Sequence, residues 1–419
     1  MYKKPRGTRD FDSEEMQKRQ YVKESIRSTF ESYNYKEIQT PTLETLKIFT
    51  AKSGEEIIKE IYSFTDKSGR NLALRPELTA PVIRFYVNNL QMEPKPLKLF
   101  YFGNCFRYDR PQKGRYREFL QAGCEIIGVE TPESQAELIS LAYMILDNLG
   151  LKDIKLNIGN LNLLSSIFEK IKIDKEKQKY LIPLIDKEEY EEVYNALQDF
   201  NINPKNITDF LDIIQTDDLN KIKNYLKNDK KALEIISKQE EIFNYLKNDY
   251  NIPNFFLKMS IVRGLDYYKG LVFEIEAPKL GAEKQICGGG KYELIPLFGG
   301  RPTPTAGFAI GFDRTIIALE SEKHDFPIKK TDAYIIPIDK KMINISIKIA
   351  QKLRKQKIKV DIDLLRRGIS KSLKYASSIK TKKAIIIGPD EIEKKSVTIR
   401  DMKTGEQKIV PIKDITKEF

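Results

Sequence analysis

The stretch that decides the fold is residues 104–118, NCFRYDRPQKGRYRE, in which four arginines and a lysine surround a Pro/Gly turn. Apolar, strand-like runs lie on both sides of it, at residues 97–102 and 119–128, and they predict an antiparallel hairpin. Guanidinium groups pair with phosphate oxygens in a bidentate way and stay charged at physiological pH, so several on one turn suit a polyphosphate. For an isolated cluster, a solvated basic loop is the commoner interpretation, and segments further along the chain favour the phosphate site.

The composition of the 419 residues is that of an ordinary soluble globular protein, with 41% hydrophobic and 32% charged residues. A chain of this length has room for about two to four domains. No segment approaches the roughly 20 apolar residues that a membrane span needs, and no apolar signal segment follows the basic N-terminus. We therefore expect a cytoplasmic protein without a membrane partner.

Counts of cysteine and histidine argue against several classes of site. The three cysteines form no C-x-x-C pair, so neither a disulfide framework nor a thiolate zinc site is expected, and we predict that Cys105 and Cys124 are small core residues. The only histidine, His324, rules out a Ser-His-Asp triad or a histidine-rich metal site that it does not itself supply. We predict that His324 is a solvent-exposed linker residue. The chemistry then falls to arginines, carboxylates, tyrosines, backbone groups and a bound metal.

Positive charge is concentrated at the C-terminal end. Residues 332–419 contain 22 Lys+Arg and 11 Asp+Glu, a net charge of +11, whereas the whole chain carries +12. Strand and helix patterns alternate in this segment and end in a hairpin, which predicts a small α/β domain with a mixed sheet. Such a charge predicts a polyanionic ligand, with a merely basic soluble domain as the alternative.

The rest of the chain has the pattern of an α+β fold. Strand signals follow an N-terminal helix, and they return at residues 259–262 and 307–310. Between them, residues 161 to about 250 have helical periodicity and no recognisable chemistry, which indicates a helical insertion. For glycines such as those at 288–290, turn geometry is the alternative to a functional role.

Four separated segments have compositions that packing alone does not explain. They are residues 74–80 (LRPELTA), the arginine turn with the strand after it, residues 262–270 (VRGLDYYKG), and residues 287–292 (CGGGKY) leading into residues 307–314 (GFAIGFDR). In the strand after the turn, Gln121 and Glu125 are four residues apart and therefore share one face. The chain has no G-x-x-x-x-G-K-[ST] or G-x-G-x-x-G motif. Arginines on an antiparallel sheet, with Asp109 or Glu118 available for a hard cation, need neither motif to hold phosphates.

In this spacing the segments resemble the signature motifs of class II histidyl-tRNA synthetases. Residues 107–128 resemble the second class-defining motif, residues 263–268 and 287–292 the two histidine-specific motifs, and residues 307–314 the third motif. Pro41 after a helix is similar to the dimer-forming first motif. The resemblance implies an α+β fold: an antiparallel-sheet class II aminoacyl-tRNA synthetase catalytic domain with a helical insertion, plus a C-terminal α/β anticodon-binding domain with a mixed sheet.

The resemblance also implies domain limits and an activity. The expected segments are residues 1–160 and 253–328 for the two parts of the catalytic domain, 161–252 for the insertion, and 331–419 for the anticodon-binding domain. The implied enzyme is a cytoplasmic, homodimeric ligase of protein biosynthesis. It activates histidine with ATP, accompanied by Mg2+, to histidyl-adenylate, and it transfers the histidyl group to the 3′ end of tRNA(His), releasing AMP and pyrophosphate.

Roles of individual residues follow from the same resemblance, with the metal ligands left open. The residues expected to bind histidine are Glu77, Thr79 and Gln121 at the α-amino end, and Glu125, Tyr267 and Tyr268 at the imidazole. Those expected to bind ATP are Arg107, Asp109, Arg115, Phe119 and Arg314. Those expected near the acceptor end of the tRNA are Gln112 and Arg117, while Arg263 and Arg107 are the expected catalytic cations. Those expected to hold the backbone of the anticodon arm are lysines such as Lys352, Lys355 and Lys357.

Some positions depart from the family pattern. Leu120 replaces a histidine or an aromatic residue, Lys269 replaces a threonine, and Glu293-Leu294 replaces Asp-Gly. Asp109 replaces a glutamate, which shortens a possible ATP or metal contact. None of these changes removes a proposed ligand.

Two other functions explain part of the sequence. A catalytically silent paralogue that binds histidine and regulates a partner enzyme would be expected to lack the catalytic arginine and the basic terminal domain, and this chain keeps both. A generic basic RNA-binding scaffold does not explain the acidic and tyrosine positions of the first 331 residues, whose net charge is only +1.

Overall fold

The computed structural model describes residues 2–51, 59–261 and 268–419. It contains two compact units, one extending to Phe326 and the other from Pro327 onward. Among the described helices, none is long and apolar enough to cross a membrane.

The first unit is built on an eight-stranded sheet with the order β1-β5-β6-β11-β10-β9-β7-β8. Its strands are β1 (Lys36–Glu37), β5 (Leu97–Phe106), β6 (Glu118–Ile127), β7 (Lys155–Asn160), β8 (Phe255–Leu257), β9 (Tyr268–Glu276), β10 (Gln285–Tyr292) and β11 (Thr305–Gly311). Only the pairs β1–β5 and β7–β8 at the two edges are parallel among these strands. A small antiparallel sheet joins β2 (Leu43–Thr45), β3 (Ser63–Thr65) and β4 (Asn71–Leu74).

Helices cover this sheet and form the insertion. Those of the sheet layer are Ser13–Ser32, Lys47–Thr50, Thr79–Phe85, Pro132–Asn148 and Phe312–Ser321, with a π-helical turn at Tyr86–Leu90. Those of the insertion are Leu161–Lys170, Lys175–Asp186, Tyr190–Asp199, Pro204–Ile214, Leu219–Tyr225 and Lys230–Asn244, with a π-helical turn at Tyr245–Asp249. The insertion has a hydrophobic core of its own, which confirms the predicted helical segment.

The main core lies on one face of the large sheet. Helices Ser13–Ser32 and Pro132–Asn148 pack there, and Asp12 caps the first of them by accepting hydrogen bonds from two backbone N–H groups. The ring of Phe30 stacks on Phe100 of β5 at 4.9 Å and on Phe308 of β11 at 5.9 Å. Because side chains alternate along a strand, burying these residues directs their neighbours to the opposite face. That opposite face carries the candidate site.

The second unit contains the predicted mixed sheet, with the order β13-β12-β14-β15-β16. Its strands are β12 (Ala333–Pro337), β13 (Val360–Ile362), β14 (Lys383–Ile387), β15 (Ser396–Asp401) and β16 (Gln407–Pro411), and its α-helices are Ile343–Lys355, Ile369–Ser378 and Pro389–Glu393. β12 lies between β13 and β14 and is parallel to both, β15 is antiparallel to β14, and β15 and β16 form an antiparallel hairpin. Helices Ile343–Lys355 and Ile369–Ser378 belong to cores on opposite faces of this sheet.

Several sequence expectations were wrong in detail. The strand predicted at 259–262 lies earlier, at Phe255–Leu257, where it pairs with β7; Met259 and Ile261 are apolar because they are buried beyond its end. Val262 lies outside the described residues. The glycines at 288–290 lie inside β10 and not in a turn. Glycine is needed at position 289 because a Cβ there would collide with the carbonyl oxygen of Gly307 in the next strand.

The predictions for the cysteines and for the histidine had different outcomes. Cys105 and Cys124 are fully buried, which confirms them as core residues. His324 is not a solvent-exposed linker residue. Its half-buried ring lies 5.7 Å from the ring of Tyr21 and 4.8 Å from the ring of Phe326, so aromatic packing holds it against the N-terminal helix.

Candidate active site

The site face of the large sheet has a floor of small residues. Gln121 and Glu125 of β6 share this face, as predicted, and they lie opposite Gly311 and Gly307 of β11. A Cβ on Gly307 would collide with Oε2 of Glu125. The glycine is therefore required for the carboxylate to lie flat against the sheet.

Glu125 is a buried and firmly held acidic group of this face. It is 1% exposed, and its two oxygens accept hydrogen bonds from different phenols: Tyr101 Oη donates to Oε1 at 2.9 Å and Tyr292 Oη donates to Oε2 at 2.6 Å. Burial raises the pKa of Glu125 to about 8, while the hydrogen bond from Tyr292 opposes that rise. The result is a fixed carboxyl group able to accept one more N–H from a small ligand.

Tyrosines surround this carboxyl group. Tyr268 of β9 lies directly opposite Tyr292 of β10, with ring centroids 6.2 Å apart in an edge-to-face arrangement. Tyr292 contacts both Tyr268 and Glu125, so these two residues lie at the same end of the site. The other two residues predicted for this region, Tyr267 and Arg263, lie outside the described residues.

Glu77 and Thr79 lie at the start of helix Thr79–Phe85. The Glu77 carboxylate accepts backbone hydrogen bonds from Thr79 N at 2.6 Å and Ala80 N at 3.0 Å, so it caps this helix. Burial raises the pKa of Glu77, and the two N–H donors oppose the rise. The helix covers the site face next to Tyr101, which brings Glu77 and Thr79 close to Glu125.

Beside this polar end lies a cavity of about 360 Å³. All of the predicted ATP-binding residues line it, together with one predicted histidine-binding residue; they are Arg107, Asp109, Arg115, Phe119, Arg314 and Gln121. The guanidinium of Arg107 lies 5.5 Å from the centre of the Phe119 ring, and its Nε donates to the carbonyl oxygen of Pro76 at 2.9 Å. Sequence segments far apart in the chain thus form a single cationic cavity.

The predicted tRNA-contacting residues lie on the hairpin turn beside the cavity. Arg117 lies over the ring of Tyr108, 3.9 Å from its centre, and its Nε donates to the carbonyl oxygen of Asp109 at 3.1 Å. Gln112 is exposed, and its side-chain amide donates to Glu283 at 2.8 Å. Neither residue lines the cavity itself.

Asp313 fixes the start of β6, where Phe119 lies. It is 4% exposed and is contacted by Arg9 at 2.7 Å, by Arg19 at 2.6 Å and by the backbone N–H of Leu120 at 2.9 Å. The buried carboxylate of Asp313 therefore connects the helix Phe312–Ser321 to the N-terminal segment and to β6. The side chain of Leu120, a departure from the family pattern, packs against the main core.

Sequence reasoning missed three residues of the site. Tyr101 and Tyr292 were given no role, because their partner Glu125 is 24 and 167 residues away in the chain. The strand of Tyr101 was predicted, whereas the strand that ends at Tyr292 was interpreted as a glycine-rich loop. Glu283 was also missed: it pairs with Arg314 and Gln112. The only sign of Tyr292 in the sequence was its position at the end of the glycine-containing motif of residues 287–292.

No preformed metal site is present among the described residues, because no group of three or more His, Cys, Asp or Glu side chains converges there. The acidic groups predicted for a hard cation already have partners. Asp109 pairs with Arg115, and Glu118 accepts a hydrogen bond from the side chain of Asn104 at 2.9 Å.

Comparisons with known proteins agree with this architecture. Residues 7–315 match the family described as histidyl-tRNA synthetase, and residues 332–419 match the family described as anticodon binding domain. A histidine–tRNA ligase of Methanocaldococcus jannaschii is 45% identical over 99% of both chains, and one of Archaeoglobus fulgidus is 41% identical over 97% of both. The crystal structure of apo histidyl-tRNA synthetase from S. aureus is 29% identical over the full length of both chains, with a TM-score of 0.75. The chain therefore belongs to the histidyl-tRNA synthetase family.

Proposed function

We propose that this protein is a histidine–tRNA ligase. It activates histidine with ATP to histidyl-adenylate, releasing pyrophosphate, and then transfers the histidyl group to the 3′ end of tRNA(His), releasing AMP. The observation that carries the proposal is the fixed carboxyl group of Glu125, which lies on the same sheet face as a cavity lined by Arg107, Arg115 and Arg314. Relatives that carry this activity in their names are 41–45% identical along nearly the whole chain.

Histidine is held at the polar end of the site. The carboxylate of Glu125 accepts one imidazole N–H, and the phenol of Tyr268 meets the other ring nitrogen, with Tyr267 beside it. Analogues that lack either nitrogen leave a buried polar group unpaired, and this gives strong discrimination.

The α-amino end of histidine has its own group of ligands. A carboxylate, a hydroxyl and an amide oxygen accept hydrogen bonds from an ammonium group; they belong to Glu77, Thr79 and Gln121. The charge of Glu77 contributes to the raised pKa of Glu125, which supports a single small pocket for both ends of histidine.

ATP occupies the cationic cavity. Arg107 binds the α-phosphate and the carboxylate of histidine, Phe119 stacks on the adenine, and Asp109 lines the same subsite. Arg115 and Arg314 bind the outer phosphates. Mg2+ enters with ATP and supplies further neutralisation of the phosphate charge.

The chemical step needs no histidine base. When the carboxylate of histidine attacks the α-phosphorus, negative charge grows on the non-bridging oxygens and on the departing pyrophosphate. Fixed guanidiniums at those positions stabilise the transition state and align the reactants. Arg107 does this within the described cavity, and Arg263 is proposed to do it from the opposite side.

tRNA is bound by both units. Gln112 and Arg117 on the hairpin turn approach its acceptor end.

The proposed domain limits follow the family pattern. The catalytic domain consists of residues 1–160 and 253–328, the insertion of residues 161–252, and the anticodon-binding domain of residues 331–419.

The second unit offers a site for unstacked anticodon bases. The strand order reverses after β13, because β12 lies between β13 and β14, and such a switch point leaves a crevice at the carboxyl ends of β12 and β14. The loop after β13 presents Leu364 and Leu365, which are 81% and 73% exposed. It is held by the buried Asp363, which accepts from the backbone N–H of Leu365 at 3.2 Å and of Arg367 at 2.8 Å.

The lysines of this unit do not contribute equally. The ammonium of Lys352 donates to the carbonyl oxygens of Ile412 at 3.0 Å and Lys413 at 2.7 Å, so it fastens the C-terminal segment. Lys355 and Lys357 are exposed and remain the proposed contacts to the anticodon arm. The net charge of +11 in residues 332–419 supports this role.

Two further properties rest on the resemblance to the family. We propose that the enzyme is a homodimer whose first motif, near Pro41, lies at the interface. We also propose that it acts in the cytoplasm, where tRNA is charged for protein biosynthesis.

The proposed function is tested by amino-acid-dependent exchange of labelled pyrophosphate into ATP, run over a panel of amino acids. We expect exchange with histidine alone. Exchange with a different amino acid and none with histidine would remove the proposal. A variant with Glu125→Gln should lose histidine-dependent exchange and still bind ATP, which separates the two subsites.

A further inference from the structure

One carboxylate at the cavity has no role in the reaction described above. Glu283 lies at the end of the segment Pro278–Glu283, between β9 and β10. It pairs with Nη2 of Arg314, lies 3.6 Å from Nη1 of Arg115, and accepts a hydrogen bond from Nε2 of Gln112 at 2.8 Å. Both guanidiniums are those proposed to bind the outer phosphates of ATP.

The contacts of Glu283 are those that a phosphate would make. Two guanidiniums and one amide N–H converge on its oxygens, and carboxylate and phosphate oxygens fit a guanidinium fork in similar ways. Arg314 is already positioned, since its Nε donates to the carbonyl oxygen of Gly114 at 2.9 Å and its Nη1 to that of Gln285 at 3.0 Å. Its side chain is only 23% exposed, so solvent screens the charge of its partner weakly.

Without Glu283 the cavity would hold an excess of positive charge. Arg107, Arg115 and Arg314 all line it, and one carboxylate, Asp109, pairs with Arg115. Another lining carboxylate, Asp313, is already neutralised by Arg9 and Arg19, which lie outside the cavity. The three arginines and Asp109 have a net charge of +2, and Glu283 lowers it to +1. A second carboxylate at this place therefore reduces the mutual repulsion of the guanidiniums when no nucleotide is bound.

We propose that Glu283 is an internal substitute for the outer phosphates of ATP and thereby a specificity-determining residue of the site. It pairs with Arg115 and Arg314 in the free enzyme, is displaced when a triphosphate binds, and returns as pyrophosphate leaves. This inference rests on the proposed assignment of both arginines to the outer phosphates. Any ligand that reaches these arginines must break the pair, whereas a ligand without outer phosphates leaves the pair intact.

The consequence is weaker binding of every ligand that carries outer phosphates, pyrophosphate included. ATP offsets the displacement of Glu283 through its adenine and ribose contacts, including stacking on Phe119. Free pyrophosphate has no such contacts and binds poorly. Glu283 therefore favours release of the product and keeps small polyanions from occupying the site.

The test is the change in affinity caused by Glu283→Gln, an isosteric variant that keeps an oxygen for Gln112 and removes the charge. Direct binding of inorganic pyrophosphate, ATP and AMP is measured by calorimetry at one fixed magnesium concentration. We expect pyrophosphate to bind about fivefold to tenfold more tightly to the variant, with tenfold corresponding to about 1.4 kcal/mol. ATP should gain a similar or smaller factor, and AMP should not change.

The matched control is Asp153→Asn. Asp153 lies 3.7 Å from Lys279 of the same segment, outside the cavity, so this variant removes one negative charge without touching the two arginines. We expect its three affinities to equal those of the wild type. Thermal melting of both variants identifies any loss of folding, and Glu283→Ala provides a second variant in which the expected gain for pyrophosphate should persist.

Opposite or absent changes overturn the inference. Weaker binding of pyrophosphate and ATP to Glu283→Gln would mean that the carboxylate orients the arginines or holds magnesium, and equal affinities would make it a bystander. A gain shared by Asp153→Asn or by AMP would show a general charge effect instead. If the wild type fails to exchange pyrophosphate with histidine, the proposed function fails, but direct binding still decides the role of Glu283.

Discussion

Replacing Tyr292 by phenylalanine should shift the pH dependence of histidine binding to higher pH. The substitution keeps the ring and removes the hydroxyl that donates to Glu125 at 2.6 Å. Because that hydrogen bond favours the ionised carboxylate, its loss raises the pKa of Glu125 above its present value of about 8. A hydrogen bond to a charged group contributes about 1.5–3 kcal/mol and one pKa unit corresponds to about 1.4 kcal/mol, so a rise of roughly one to two units is expected.

The rise reduces the ionised fraction of Glu125 at neutral pH. Only the ionised group accepts hydrogen bonds through both oxygens, so the KM for histidine at pH 7 should increase roughly tenfold or more. As the pH rises toward the new pKa, the difference between the variant and the wild type should shrink. The measurement is histidine-dependent pyrophosphate exchange between pH 6.5 and 9, reported as the ratio of the two KM values, in which the titration of histidine itself cancels.

Two variants control this experiment. Tyr101→Phe removes the longer hydrogen bond, at 2.9 Å, and should give a smaller ratio with the same pH dependence. Tyr86→Phe alters another buried tyrosine of the same apolar cluster and should give a ratio of one. A ratio for Tyr292→Phe that stays at one, or that does not vary with pH, would refute the electrostatic coupling of Tyr292 to Glu125.

Three further outcomes are expected for this protein. The folded-state pKa of Glu125 is about 8 against an ordinary value of 4.5, so the ligand-free protein should lose stability as pH rises through that interval, and Glu125→Gln should remove this part of the loss in thermal melts. Asp313→Asn leaves Arg9 and Arg19 without their shared carboxylate and should lower the free energy of unfolding by about 2–4 kcal/mol, with a raised KM for ATP; an unchanged melting temperature would contradict it. Raising the salt concentration should weaken tRNA binding, measured by filter retention, much more steeply than histidine activation, since residues 332–419 carry a net charge of +11; parallel declines would argue against their role as a polyanion site.

Local patterns predicted those parts of the fold whose neighbours in space are also near in sequence. The hairpin of β5 and β6 was visible because the arginine turn separates two apolar runs, and the α/β pattern of the second unit was visible through alternating periods. The residues predicted to bind ATP were proposed from the resemblance of separated motifs, and in the structure they line one cavity.

What local patterns missed depends on pairing over long distances. Tyr292 meets Glu125 across 167 residues, and Glu283 meets Gln112 across 171, so no spacing rule connects them. Met259 and Ile261 were assigned to a strand because burial alone also makes a segment apolar. His324 was placed in solvent because its polar neighbours concealed the ring contacts that it makes with Tyr21.

The glycine floor of the site limits how this enzyme could evolve. Even a methyl group at position 307 would displace the Glu125 carboxylate, so β11 offers no room for trial substitutions that reshape the pocket from below. A lineage that came to accept a different amino acid would have to change the segments lying above the sheet. The floor is then the part of the pocket that is least open to substitution, and changes of selectivity would have to come from the segments above it.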